Sequence, residues 1–238
     1  MEHEHSIEAI RNRLASGPRQ NYLRDWIYGG IDGSVTTFAV VTGVTGARLP
    51  AIVIVIMGFA NLIADGFSMA ASNFLGTKAE HDDFRRLESI ERRHIELAPE
   101  GEREEVRQIF ASKGFNGADL DRVVELITSD RERWVQTMLR DEYGLPHAAR
   151  SPWLAAASTF SAFAICGFAP LIPFLLGISN AVQVSIVLTG IIFFAIGSTK
   201  SLWSTASWWG SGLSTLFVGA IAASLAYVVG IGLSSFVR

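Results

Sequence analysis

Charge is scarce in this 238-residue chain, and it is unevenly spread. Only 18% of residues are charged, against about a quarter in a soluble domain. Between Ser151 and Val237 the sole charged side chain is Lys200, whereas residues 76–150 hold 13 of the 20 Lys+Arg and 17 of the 23 Asp+Glu. A single globular domain does not segregate charge in this way, so the chain reads as a membrane protein with one polar insert. Cys166 is the only cysteine and lies in an apolar stretch, which excludes a disulfide framework and a CxxC metal site. A net charge of -3 supplies no basic surface for nucleic acid. The first 26 residues lack the apolar core of a signal peptide, so the first hydrophobic segment is expected to stay in the mature protein.

Hydrophobic runs are abundant. Five stand out: Ile27–Gly46, Ala51–Leu75, Trp153–Leu176, Ala181–Ser198 and Leu213–Phe236. Each approaches the ~20 residues a helix needs to cross ~30 Å of hydrocarbon. None alternates like a barrel strand, and a helix satisfies its own backbone in lipid. The expected fold is therefore an all-α membrane protein with five transmembrane helices and a helical insert between spans two and three. Its divisions are a polar arm at 1–26, spans one and two at 27–75, the insert at 76–150 and spans three to five at 151–238. Trp203, Trp208 and Trp209 in the fourth connection suit a membrane interface.

Basic residues set the expected orientation. Arg11, Arg13, Arg19 and Arg24, the basic residues of the insert and Lys200 fall on one side if the helices alternate; Arg48 and Arg238 fall on the other. The positive-inside rule places the arm and the insert in the cytoplasm and the C-terminus outside. Within the insert, the second span's helix is expected to run on as a stalk to about Leu97. Pro99 suits a first helical position and Gly114 a stop, a second piece covers Asp119–Thr128, and Asp130 suits an N-cap for a third ending at Gly144.

Ionisable groups inside the spans are few and therefore informative. Asp32 lies in the first span. Asn61, Asp65 and Met69 share one face of the second, and Met57 begins the same row. The structural alternatives are that Asp32 caps a break at Gly33, that Asp65 makes a buried hydrogen bond, and that both methionines simply pack. Gly29 and Gly33 allow a close helix crossing, one candidate being a crossing between subunits. Pro170 and Pro173 free carbonyls in the third span, to line an ion path or merely to kink it.

The insert holds a second constellation. Glu91 and His94 are spaced i, i+3, as are Glu102 and Glu105; Met138 and Glu142 are spaced i, i+4. Each pair shares a helix face. Helical bundles build iron and manganese carboxylate sites from such pairs, and one thioether turns preference toward softer transition metals. A solvated charged face is the plain alternative. Glu88, Glu96, Glu100 and Glu104 belong to that solvated population, with Glu88 as a spare ligand, and His3 and His5 form a short His-Glu-His tract in the arm.

At these residues the sequence resembles the vacuolar iron transporter family. The resemblance rests on YGGIDGSVTTFAVVTGVTG, GFANLIADGFSMAASNFLGTKAE, PEGEREEVRQIF and WVQTMLRDEYGL, together with the five-span plan. It implies a homodimeric, proton-coupled exporter of Fe2+ and Mn2+ with an ion path between the two first spans. It places the membrane residues on Asp32 and Met69, and the cytosolic ligands on Glu91, His94, Glu102, Glu105, Met138 and Glu142. Two departures stand out. His94 replaces a glutamate, which makes the site less anionic and more pH-sensitive. Asn61 replaces a membrane glutamate; either Asp65 takes its place one turn later or the protein couples protons differently. No prosthetic group is implied; Fe2+, Mn2+ or Zn2+ is bound and carried as cargo, and the short loops point to a bacterial inner membrane. The competing readings are a carboxylate-bridged di-iron oxidase, which would want Glu-x-x-His twice, and a metal sensor.

Overall fold

The computed structural model describes residues 4–16, 20–145, 150–203 and 205–234. Every regular element among them is helical. In chain order these are α1 (Ile7–Ser16), α2 (Leu23–Gly46), α3 (Ala51–Leu97), α4 (Pro99–Ser112), α5 (Gly117–Thr128), α6 (Arg131–Asp141), α7 (Pro152–Phe168), α8 (Ile172–Leu175), α9 (Ala181–Lys200) and α10 (Trp208–Ser234), with short 3-10 turns at Ala169–Leu171 and Ser201–Trp203. His3 and Phe236 lie outside the described residues. The chain divides into two compact units, residues 1–20 with 76–150 and residues 21–75 with 151–238. The 47-residue α3 contributes to both.

Among the described residues four helices are long and apolar enough to cross a membrane: α3, α7 with its continuation to Leu175, α9 and α10. Most of their apolar surface is not covered within the chain, as at Ile56, Phe67, Val187 and Phe217, which are all exposed. Such continuous apolar surface suits lipid or another protein, and the chain is a membrane protein. The α2 helix, at 24 residues, is similar in length to the shorter three of these but carries Arg24, Asp25, Asp32 and four threonines. It starts at Leu23, four residues before the first apolar run, so Asp25 belongs to the helix and not to the arm. Likewise Trp208 and Trp209 begin α10 instead of closing the loop before it.

In the second unit α2 is the central helix, packed against α7, α9 and α10. The α2–α7 crossing is backbone against backbone. A Cβ at Gly29 would stand 2.2 Å from the Thr159 carbonyl oxygen and one at Gly33 2.3 Å from that of Phe163. The small-residue step therefore serves a crossing within the chain and leaves no face there for another copy. The core beside it joins Phe38 and Val41 of α2 to Ile54 and Leu62 of α3, Phe163 of α7 and Leu171. At the proline pair the helix tightens into the 169–171 turn, and the Pro170 carbonyl accepts a 2.8 Å bond from the buried Ser185 hydroxyl. That carbonyl is occupied structurally, as a kink requires.

Proline and capping chemistry set the helices of the first unit. Pro99 opens α4 at a position where its missing N–H costs nothing, and α3 stops two residues before it. The Asp130 side chain accepts from the Arg133 N–H at 2.8 Å and starts α6. Ile95, Val106, Phe110, Val124, Trp134, Val135, Met138 and Leu139 form the core between α3, α4, α5 and α6.

Candidate metal centre and membrane acids

Helical periodicity puts two carboxylates on inward rows. Glu91 precedes Ile95 by one turn on α3, and Glu102 precedes Val106 and Phe110 on α4. Both are buried, at 1% and 5% exposure. The turn at Ala98–Pro99 folds α4 back so that His94, eight residues earlier, faces Glu102. His94 Nδ1 stands 3.4 Å from Glu102 Oε1 and 3.9 Å from Glu91 Oε1. One ligand atom from each of Glu91, His94 and Glu102 lies within 4.8 Å of the others.

A buried charge is costly unless it is paired, and these two carboxylates are only partly satisfied. Glu91 Oε1 accepts from the Tyr143 hydroxyl at 2.8 Å. Glu91 Oε2 and Glu102 Oε2 are buried without a hydrogen-bond partner. Burial, then the charges of Glu91, Glu105 and Glu142, push Glu102 up to about 7. Burial, then Glu91 and Glu105, also raises Glu142. Burial and its bond to Glu91 raise the Tyr143 phenol, which stays a donor. Two unsatisfied oxygens, an imidazole and neighbouring carboxylates form a donor set that a divalent transition metal fits.

The other expected ligands take different positions. Glu105 and Glu142 are exposed, yet both act electrostatically on Glu102. Met138 is fully buried within the hydrophobic core. Glu88 is paired with Arg92 at 2.7 Å and Arg92 with Glu132 at 2.6 Å; Glu96 pairs with Arg131, and Glu104 accepts from Gln108 at 2.6 Å. These contacts form an outer polar layer. Tyr143 escaped sequence reasoning, because nothing in a tyrosine after a helix end announces that its hydroxyl reaches back to α3.

In the second unit Asp32 is half-buried on α2, and Asp65 on α3 is exposed but close enough for its charge to act on Asp32. The Asn61 amide donates to Thr36 Oγ1 at 3.0 Å and reaches Thr37 Oγ1 at 3.4 Å. Asn61 thus ties α3 to α2 one turn beyond Asp32. Met69 is half-buried against the core of this unit, and Met57 is exposed. A further polar group was not foreseen: Asp25, at 4% exposure, accepts from the Asn73 amide at 2.9 Å. The same Asn73 nitrogen is 2.7 Å from Thr159 Oγ1 and 3.3 Å from the Ala155 carbonyl. Asp25 reads as part of a charged arm until the helix start is known.

Comparison with known proteins is consistent with this geometry. The sequence pattern of the VIT family matches residues 23–231. Vacuolar iron transporter 1 of Arabidopsis thaliana is 31% identical over 208 residues, covering 86% of this chain and 83% of that protein. Vacuolar iron transporter 1 of Eucalyptus grandis is 29% identical over 208 residues, covering 86% and 84%. The vacuolar iron transporter of Toxoplasma gondii is 31% identical over 181 residues, covering 72% of this chain and 60% of that protein.

Proposed function

This chain belongs to the VIT family, whose members are metal-ion transporters and not enzymes, and from that premise we propose that it exports divalent transition metal from the cytoplasm in exchange for protons. Fe2+ is the cargo, with Mn2+ and Zn2+ as the alternatives that the transport test compares. The observation that carries this reading is the Glu91–His94–Glu102 cluster with its two unpartnered buried carboxylate oxygens. Oxygen and imidazole donors suit divalent transition metals, iron and manganese among them.

The first unit is cytoplasmic and captures the ion on Glu91, His94 and Glu102, with Glu105, Glu142 and Met138 as further ligands. The α2 helix is a fifth span beside the four more apolar ones, and the protein works as a homodimer in a bacterial inner membrane. Asp32, Met69 and Asp65 pass the ion between the two α2 helices, while Asn61 holds α3 against α2. Protons entering from outside displace the metal, because both compete for the same carboxylate oxygens. The test is reconstitution in liposomes with an imposed pH gradient, comparing uptake of Fe2+, Mn2+, Zn2+ and Mg2+. Metal flux that follows the gradient supports the proposal. Flux indifferent to the gradient removes the proton step, and metal binding without flux removes transport.

A further inference from the structure

One cavity of the second unit has the opposite chemistry to the metal sites. It measures about 460 Å3 and is lined by Arg24, Tyr28 and Lys200 together with Leu23, Ile27 and Ile31. The α2 contributors Arg24, Ile27, Tyr28 and Ile31 follow i, i+3, i+4, i+7 spacing, so they share one face of the helix. Lys200 is the last residue of α9. Arg24 and Lys200 are exposed. Neither has an acidic partner among the described residues; the Arg24 guanidinium instead sits over the Tyr28 ring, 5.3 Å from its centre. The Asn21 side-chain oxygen is already used by the Leu23 N–H at 2.8 Å, which leaves its NH2 as a further donor at the cavity wall.

Two unpaired cations repel a metal ion, so this cavity is no part of a cation path. They attract an anion. The wall that continues from them is aliphatic, and a soluble anion gains nothing from it. An amphipathic anion uses both parts. The surroundings suit the membrane surface: Lys200 is followed by exposed Leu202, and exposed Trp208 and Trp209 begin α10, the side chains that settle at headgroup level. Basic pockets between membrane helices are recognised headgroup sites.

We propose that this cavity binds one anionic glycerophospholipid, with its phosphate between Arg24 and Lys200 and its acyl chain along Leu23, Ile27 and Ile31. Because α2 also carries Asp32, the bound lipid fixes the start of that helix. Lipid binding is read independently of transport, so it stands or falls apart from the export function.

The test is native mass spectrometry of the full chain in detergent, titrated with phosphatidylglycerol and with phosphatidylcholine of the same acyl chains. Phosphatidylglycerol is expected to bind at least tenfold tighter. Each of Arg24→Gln and Lys200→Gln should weaken it about fivefold, the usual worth of one basic residue at an anionic surface. The double variant should weaken it more than tenfold, while Arg48→Gln leaves it unchanged. If the double variant does not fold, Lys200→Gln alone, at the exposed end of α9, carries the comparison. Equal retention of both lipids, or unchanged phosphatidylglycerol binding in the variants, overturns the proposal. Complete displacement by millimolar inorganic phosphate also overturns it, since the ligand would then be the free anion.

Discussion

The Tyr143 hydroxyl donates to Oε1 of Glu91 at 2.8 Å, while Oε2 of the same buried carboxylate has no partner. One oxygen is held in place and the other is left for a ligand. Outer contacts of this kind orient metal-binding groups and raise their affinity. Tyr143→Phe should therefore weaken metal binding by about tenfold and lower the stability of the metal-free protein by about 1 kcal/mol. Isothermal titration with Mn2+ and thermal melts would measure both. An unchanged Kd would remove Tyr143 from the site.

Removing the charge at Glu102 separates binding from folding. Glu102→Gln keeps the shape but abolishes repulsion with Glu91, Glu105 and Glu142. At pH 7.5 the metal-free variant should melt at or above the wild-type temperature, and its metal affinity should fall at least tenfold. Should the variant bind metal normally, the centre lies elsewhere.

Acidity should act on stability in a defined direction. The folded state holds the Glu102 proton up to about pH 7, whereas the unfolded chain releases it near 4.5. Between those values the folded state binds more protons, so stability falls as pH rises. The contribution is complete below 4.5 and gone above about 7; Glu142 acts the same way. Asp141 is held near 2, mainly by its bond to Arg140, and titrates below this window. Melting temperature of the metal-free protein should therefore decline from pH 5 to 7.5, while metal affinity rises as protons leave. A melting temperature that climbs over this range would contradict the assignment.

In the membrane unit, Asp32→Asn should abolish flux into liposomes yet leave metal binding by the full-length protein within about twofold, since Glu91, His94 and Glu102 all belong to the other unit. Normal flux in this variant would take Asp32 out of the path.

Gly33→Ala tests the helix crossing. Its Cβ would meet backbone of Phe163 at 2.3 to 2.9 Å, which cannot be relieved by a rotamer change. A loss of at least about 1–3 kcal/mol is expected, read as a lower melting temperature in detergent. Gly76→Ala, where a Cβ meets nothing within 4 Å, should be neutral or stabilising.

Much of the helical plan was legible because local chemistry wrote it. Pro99 and Asp130 mark helix starts by mechanisms that act within one turn, and the pair Glu91/His94 follows from helical spacing alone. The rest depends on distant partners. No local signal says that Asp25 is buried against Asn73, that Ser185 takes the Pro170 carbonyl, or that Met138 lies deep in a core while Glu142, one turn on, is exposed. Spacing told which residues share a helix face; only packing told which face looks inward.

The contact of α2 with α7 has a mechanical corollary. Two helices whose main chains touch at successive glycines cannot slide along each other without lifting apart. Any motion beside Asp32 must therefore carry α2 and α7 together, and α10 with them, because a Cβ at Gly230 would stand 2.2 Å from the Gly43 carbonyl oxygen; it must open along the sides of α2 that neither helix covers.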